Sequence, residues 1–149
     1  MHHSYLEIAM SDSQSSIGFP PRDVITLLRL DGLAIFAASL AGYQVLGGNW
    51  WVFALLILAP DLSMFGALAG SRIGARIYNL AHILVVPITL GGLAWLAGAT
   101  WFLPYSLIWI AHIGMDRAAG YGLKYPGLDH STHLGLIGKA RKSALADTR

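Results

Sequence analysis

Residues 73–119 read IGARIYNLAHILVVPITLGGLAWLAGATWFLPYSLIWIAHIGMDRAA, two apolar blocks separated by the short turn Gly98-Ala99-Thr100. The blocks, 73–96 and 101–119, each hold about 20 residues, enough to cross a hydrocarbon core about 30 Å thick at about 1.5 Å per residue. Their apolar residues come in long runs and do not form the single stripe of a soluble amphipathic helix. This stretch therefore predicts two antiparallel transmembrane helices.

Two further apolar blocks precede this stretch, at 24–46 and 50–69, and the dipeptide Pro60-Asp61 interrupts the second of them. The whole chain is 55% hydrophobic and 12% charged, whereas a soluble domain carries about 25% charged residues. Together the four blocks predict an all-α integral membrane protein, a four-helix bundle. The absence of cysteine excludes disulfides, thiolate zinc sites and iron–sulfur clusters.

Outside the bundle, predicted at 21–120, the chain changes character. Residues 1–20 are polar and rich in serine, which predicts a disordered N-terminal tail in which Met10 is an alternative start. Residues 121–149 contain Gly, Pro and polar clusters that do not favour a continuing helix, so an irregular cytoplasmic segment is expected. Within it, residues 134–141 are mildly basic and apolar and are expected to lie on the membrane surface.

The basic residues predict the orientation. In the four-span arrangement all ten Lys and Arg fall at the termini or in the loop between helices 2 and 3, and the other two loops have none. The positive-inside rule therefore places both termini in the cytoplasm. Four tryptophans lie near the uncharged loops, at the opposite interface: Trp50, Trp51, Trp95 and Trp101. Because the basic residues flank apolar blocks, they do not indicate nucleic-acid binding.

Ionisable residues lie within the apolar blocks at Asp61, His82, His112 and Asp116, and Arg29 and Asp31 lie nearer the cytoplasmic edge. The positions of the first four predict similar depths in the cytoplasmic half of the bundle, and His112 and Asp116 share one helix face at i and i+4. Two histidines and a carboxylate are a common metal-ligand set, so His82, His112 and Asp116 are predicted ligands of a divalent metal such as zinc. The predicted catalytic groups are Asp61, Asp116 and His133. The alternative is a hydrogen-bonded clamp between helices.

Several ordered blocks resemble the signature of a bacterial membrane family known as domain of unknown function 4260. They are Pro60-Asp61-Leu62-Ser63-Met64, Tyr78-Asn79-Leu80-Ala81-His82, His112-Ile113-Gly114-Met115-Asp116-Arg117, Gly120-Tyr121-Gly122-Leu123-Lys124-Tyr125 and Thr132-His133-Leu134-Gly135. The resemblance covers about residues 27–138 and implies a small multi-pass protein of the bacterial inner membrane, without implying an activity. The residues on the family pattern are Asp61, His82, His112, Asp116, Lys124 and His133, whereas His130 does not clearly match it.

Three functions are compatible with these residues. The first is a metal-dependent, hydrolase-like membrane enzyme acting on a lipid or other amphiphile, in the style of the alkaline ceramidase-like hydrolases, to which the chain is loosely similar. The second is a non-enzymatic accessory subunit or small transporter with a structural polar cluster. The third is a b-type haem protein with His82 and His112 as axial ligands. The lipid bilayer is the expected partner, and a homo-oligomer or larger membrane complex is compatible with each function.

Overall fold

The computed structural model describes residues 20–126 and 131–136, and this part of the chain is predominantly helical. Of the predicted N-terminal tail, 1–20, only Pro20 is among the described residues. His130 and residues 137–141 of the predicted surface segment 134–141 also lie outside them. The elements, in chain order, are α1 (Arg22–Val45), α2 (Trp50–Leu56), a 3₁₀ helix (Ala59–Ala69), α3 (Ser71–Ala81), α4 (Val85–Leu96), a 3₁₀ turn (Thr100–Phe102), α5 (Leu103–Ala119), β1 (Ser131–Thr132) and β2 (Gly135–Leu136).

Two helical stretches are long and apolar enough to cross a membrane: α1, and residues 50–69, which comprise α2 and the 3₁₀ helix. A third qualifies if α3 and α4 count as one bent span. Large apolar side chains cover the outside of these helices, and Val45, Trp51 and Leu68 are each more than four-fifths exposed. A helix that buries few of its apolar side chains inside the protein is typical of contact with lipid.

The second apolar block contains the interruption that Pro60 predicts. Helix α2 ends at Leu56, and from Ala59 the chain continues as a 3₁₀ helix with Pro60 in its first turn. Because Pro60 has no amide hydrogen to donate, the i→i+4 pattern cannot continue through it. The Asp61 amide instead bonds to the Leu58 carbonyl at 3.1 Å. This tighter segment carries the Asp61 carboxylate.

The third apolar block, 73–96, was expected to form one span, and in the structure it consists of two helices. The chain leaves the helix after Ala81 and resumes it at Val85, and the two parts are bent by 43°. The cause is Pro87, which cannot donate to the carbonyl four residues earlier and whose ring would collide with that carbonyl. The break leaves His82 at the C-terminal end of α3.

Helix α1 packs most extensively on α5, the last helix of the chain. Two glycines permit the contact: a Cβ atom on Gly114 would lie 2.7 Å from the Phe36 amide nitrogen, and one on Gly32 would lie 2.6 Å from the Arg117 Cβ. Close backbone approach through small residues is the usual device of helix pairs in membranes. A buried cluster of Tyr43, Phe53, Ile108 and Ala111 joins these helices to α2.

The described part of the C-terminal segment folds back on the helices. Strands β1 and β2 pair antiparallel, and Lys124 forms an isolated bridge with Thr132. Asn79 of α3 attaches this segment from the helical side, since its side-chain amide donates to the Lys124 carbonyl at 2.8 Å and accepts from the Lys124 amide at 2.7 Å. The Asn79 side chain thus pairs with both backbone groups of Lys124, as a neighbouring strand would, and fixes the hairpin relative to α3.

Candidate metal centre

Three elements bring four ionisable side chains to one place. The 3₁₀ helix supplies Asp61, the end of α3 supplies His82, and α5 supplies His112 and Asp116 on one face. One potential ligand atom from each residue lies within 4.8 Å of every other. The four residues that the sequence singled out inside its apolar blocks therefore form one cluster.

The distances within the cluster are nearly uniform. The His82 and His112 Nε2 atoms lie 3.1 Å apart. Each of these nitrogens lies 3.6 Å from Asp116 Oδ2, and Asp61 Oδ1 lies 3.6 Å from His82 and 3.7 Å from His112. With ligand bonds of about 2.0–2.2 Å, the edges of a tetrahedral zinc site measure about 3.3–3.6 Å. These five distances lie near the edges of such a site, and the two carboxylates offer oxygens within 4.8 Å of each other.

The His82 ring is held in the orientation and tautomer that a ligand needs. Its Nδ1 donates to the Tyr78 carbonyl at 2.8 Å, which leaves the lone pair on Nε2, the nitrogen that faces the cluster. The Tyr78 ring stacks on the imidazole at 3.8 Å and 16°. A backbone carbonyl that accepts from the second ring nitrogen is typical of metal-binding histidines.

The His112 ring is fully buried, and its Nδ1 has no hydrogen-bond partner among the described residues. If Nε2 binds a metal, the proton moves to Nδ1 and is left unpaired, which costs about 1–3 kcal/mol. Structural zinc sites contribute about 10–16 kcal/mol, so coordination outweighs this loss. Without a metal, His112 Nε2 can instead donate to His82 Nε2, and the Nδ1 lone pair then has no donor among the described residues.

The carboxylates differ in access to the outside. The Asp116 side chain is 17% exposed, whereas that of Asp61 is 39% exposed. Two carboxylates this close repel each other unless a cation or a shared proton lies between them. The arrangement therefore favours one carboxylate as a ligand and the more accessible one, Asp61, as a group that can also reach a substrate or water.

An apolar groove of about 370 Å³ borders the cluster. Its walls include the residues that directly precede Asp61 and His82, and Trp109, one turn before His112. The Trp109 indole donates to the Ala81 carbonyl at 2.6 Å and so ties α5 to the end of α3. The full lining is Leu56, Ala59, Pro60, Ser63, Ala81, Tyr105, Ile108 and Trp109.

Lys124 and His133, the other residues on the resemblance pattern, lie outside the group of four. The Lys124 ammonium sits 4.2 Å from the centre of the Tyr78 ring, on which His82 in turn stacks. His133 accepts a hydrogen bond from the Leu123 amide through Nδ1 at 2.9 Å and lines a different pocket, together with Asp31 and Arg117. The structure therefore does not bring His133 to the cluster, because the Leu123 backbone holds its ring elsewhere.

Tyr78 is a functional residue of the cluster that the sequence pattern did not single out, since its ring stacks on His82 and its carbonyl binds the His82 Nδ1. The available signal was its spacing, because a residue four positions before a helix-terminal histidine lies directly beneath it on the same face. What the spacing could not reveal is that the helix stops at Ala81, which allows the ring to turn back and bond to the Tyr78 carbonyl.

The two histidine nitrogens do not fit a shared haem. Axial ligation by both would require the porphyrin plane to pass between the two Nε2 atoms. Atoms 3.1 Å apart are in hydrogen-bond contact and leave no room for a ring between them. The donor set of two nitrogens and two oxygens matches zinc or another divalent first-row metal instead.

Comparison with known proteins identifies one family. The model of the family described as domain of unknown function DUF4260 matches residues 25–137. No curated protein and no solved structure matches the chain. The matched range includes all four cluster residues and extends through β2.

Proposed function

The chain belongs to the DUF4260 family, and we propose that it is a metal-dependent membrane enzyme that hydrolyses an amphiphilic substrate. The observation that carries the proposal is the set of four potential ligand atoms, within 4.8 Å of one another, contributed by three separate elements. In this assignment His82, His112 and Asp116 hold a divalent metal such as zinc. Three protein ligands with one further position are typical of catalytic zinc sites.

A bound metal would supply Lewis-acid polarisation of the scissile carbonyl and of the attacking water. Asp61 takes the proton that the water loses as its oxygen bonds to the carbonyl carbon. The same carboxyl then returns the proton to the leaving oxygen or nitrogen as the bond to carbon breaks. One water is consumed, and an acid and an alcohol or amine are released. The partial exposure of Asp61 supports this role, because a base must reach both water and substrate.

The groove supports an amphiphile as the substrate class. Its walls are apolar, apart from Ser63 and the polar tips of Tyr105 and Trp109, and it begins beside two of the cluster residues. A hydrocarbon chain in the groove would place an adjacent ester or amide near the metal.

The membrane arrangement belongs to the same proposal. In this arrangement α5 and the preceding 3₁₀ turn, residues 100–119, would form a fourth span beside the two or three that length and apolar composition support. The distribution of Lys and Arg supports cytoplasmic termini in a bacterial inner membrane, with the cluster in the cytoplasmic half. The substrate would then enter from the inner leaflet.

Metal analysis of the purified protein tests the assignment. After removal of bound metal and reconstitution with zinc, we expect about one zinc per chain, lost in Asp116→Asn and retained in the matched control Asp31→Asn. Asp61→Asn should keep the metal and abolish hydrolysis of ester- or amide-linked lipids. Retention of zinc in Asp116→Asn, or no zinc in the unmodified protein, would contradict the metal centre.

One observation favours a second function, an accessory subunit or transporter in which the cluster only clamps helices. The His82–His112 contact of 3.1 Å has the length of a direct hydrogen bond, which needs no metal between the two Nε2 atoms. In that case His112→Leu would strand His82 and lower stability, and no divalent metal would bind. The metal analysis above separates the two functions.

A further inference from the structure

A second pocket, of about 400 Å³, lies between α1, α5 and the C-terminal hairpin and shares no residue with the metal centre. Its walls combine opposite charges with apolar side chains. The lining residues are Leu28, Asp31, Ala34, Ile35, Arg117, His133 and Leu134. The function proposed above does not use this pocket, so its polar groups need a separate explanation.

Arg117 contributes a half-buried cation whose charge is not neutralised locally. Among residues 20–126 and 131–136, no carboxylate oxygen lies within 4.0 Å of its guanidinium. Its Cβ packs against Gly32, which fixes the base of the side chain at the crossing of α1 and α5. A cation in an apolar chain is normally paired, so the pocket provides a position for an external anion.

His133 provides a second donor to the same space. The Leu123 amide donates to its Nδ1, so the neutral ring carries its proton on Nε2. The Nδ1 side of the ring packs against Gly122, which leaves Nε2 as the nitrogen available to a ligand. Burial, with a smaller effect of Arg117, lowers the pKa of His133 and favours this neutral donor form.

Asp31 lines the pocket without pairing with Arg117. A carboxylate and a guanidinium in one pocket, more than 4.0 Å apart, leave space for a group that carries both charges. With neutral His133, the lining has a formal charge of zero, which matches a zwitterion better than a simple anion.

We propose that this pocket binds the phosphoethanolamine headgroup of a phospholipid. The phosphate lies against Arg117 and the His133 Nε2–H, and the primary ammonium lies against Asp31. Charge-assisted hydrogen bonds of this kind are the strongest available to a phosphate. The proposal rests on the membrane location given above and is independent of the metal centre.

The surroundings favour a lipid over a soluble phosphate. Leu28, Ile35 and Leu134 give the pocket an apolar wall for the glycerol and the first methylenes of the acyl chains. Next to the pocket, Leu27 and Leu30 of α1 are more than half exposed, which is typical of a helix face covered by hydrocarbon. Lys and Arg near helix ends are placed to meet headgroups in this way.

Native mass spectrometry of the full-length protein with defined lipids tests the proposal. We expect phosphatidylethanolamine to bind at least about tenfold more tightly than phosphatidylglycerol, and Arg117→Gln to weaken its binding about tenfold or more. Arg117→Lys should retain part of the binding because the charge remains. Thermal unfolding reports whether each variant is folded.

Asp31→Asn gives the sharpest outcome, because a general loss of structure would not produce it. Loss of the carboxylate should weaken phosphatidylethanolamine binding and strengthen phosphatidylglycerol binding, so that the preference disappears. An unchanged preference in Asp31→Asn, or wild-type affinity in Arg117→Gln, would overturn the proposal. Equal affinity for water-soluble phosphoethanolamine would exclude a lipid as the ligand. Absence of zinc would refute the metal centre and leave this result intact.

Discussion

At the residue scale, His112 has the environment that best separates a ligand from a clamp. Its ring is fully buried, its Nε2 faces three other potential ligand atoms, and its Nδ1 has no partner in the described part of the chain. A buried histidine kept only for hydrogen bonding would be expected to use both nitrogens. The unequal use of the two nitrogens is explained if the energy of metal coordination at Nε2 offsets the unmet bond at Nδ1.

We expect His112→Leu to reduce bound zinc to less than about one-tenth of the wild-type content, since a site of this type does not survive the loss of a ligand. The leucine fills the space of the imidazole, so the fold should persist. Inductively coupled plasma mass spectrometry and thermal unfolding in detergent measure the two quantities, with His133→Leu as the matched control. Normal zinc content in His112→Leu would rule out this residue as a ligand.

At the element scale, the crossing of α1 and α5 depends on the absence of side chains. A Cβ atom on Gly114 would meet the Phe36 amide nitrogen at 2.7 Å and the Gly32 carbonyl oxygen at 2.9 Å, and both are backbone atoms. Backbone cannot rotate away as a flexible side chain can, so the two helices would have to separate. This crossing also positions His112 and Asp116, since both lie on α5.

We expect Gly114→Ala to destabilise the protein by about 1–3 kcal/mol, the usual effect of overpacking. Gly92→Ala is the matched control, because Gly92 is also helical and a Cβ there would meet nothing within 4 Å. Equilibrium unfolding in mixed detergent micelles compares the two variants. Equal stability of the two variants would show that the α1–α5 contact is looser than the structure indicates.

The attachment of the hairpin to α3 gives a second prediction at this scale. Asn79→Ala removes both hydrogen bonds to Lys124 and leaves the backbone amide and carbonyl of Lys124 without these partners. Each bond contributes about 0.5–1.5 kcal/mol to stability. Hydrogen exchange at the Lys124 amide should therefore accelerate at least about tenfold. Gln44→Ala, which removes an exposed bond to Trp50, serves as control. Unchanged exchange in Asn79→Ala would mean that Asn79 does not hold the segment.

At the scale of the whole molecule, the proposed topology predicts which loops face each compartment. Reporter fusions after Gly48 and after Ala99 should report the outer compartment, and fusions after Gly70 and at Arg149 the cytoplasm. Alkaline phosphatase and green fluorescent protein fusions, each active on one side only, provide the measurement. A cytoplasmic signal at Gly48 would remove the first span and with it the four-span arrangement.

Part of the candidate site could be predicted from the sequence because the relevant signals are local. Ionisable residues in apolar blocks are rare, so Asp61, His82, His112 and Asp116 stand out without any structure. Spacing places His112 and Asp116 on one face. The grouping of all four depends on helix ends and bends, however, and the position of His133 depends on a backbone hydrogen bond from Leu123 that has no sequence signature.

The sequence by itself determined the helical, apolar character of the chain and the residues that interrupt it. Hydropathy and the effect of proline act within a few residues, so composition and order suffice to reveal them. The tertiary structure alone decided that α1 packs on α5 and that Asp31, Arg117 and His133 share a pocket. These features arise from contacts between segments distant in the chain, where backbone clearance at two glycines matters more than any local preference.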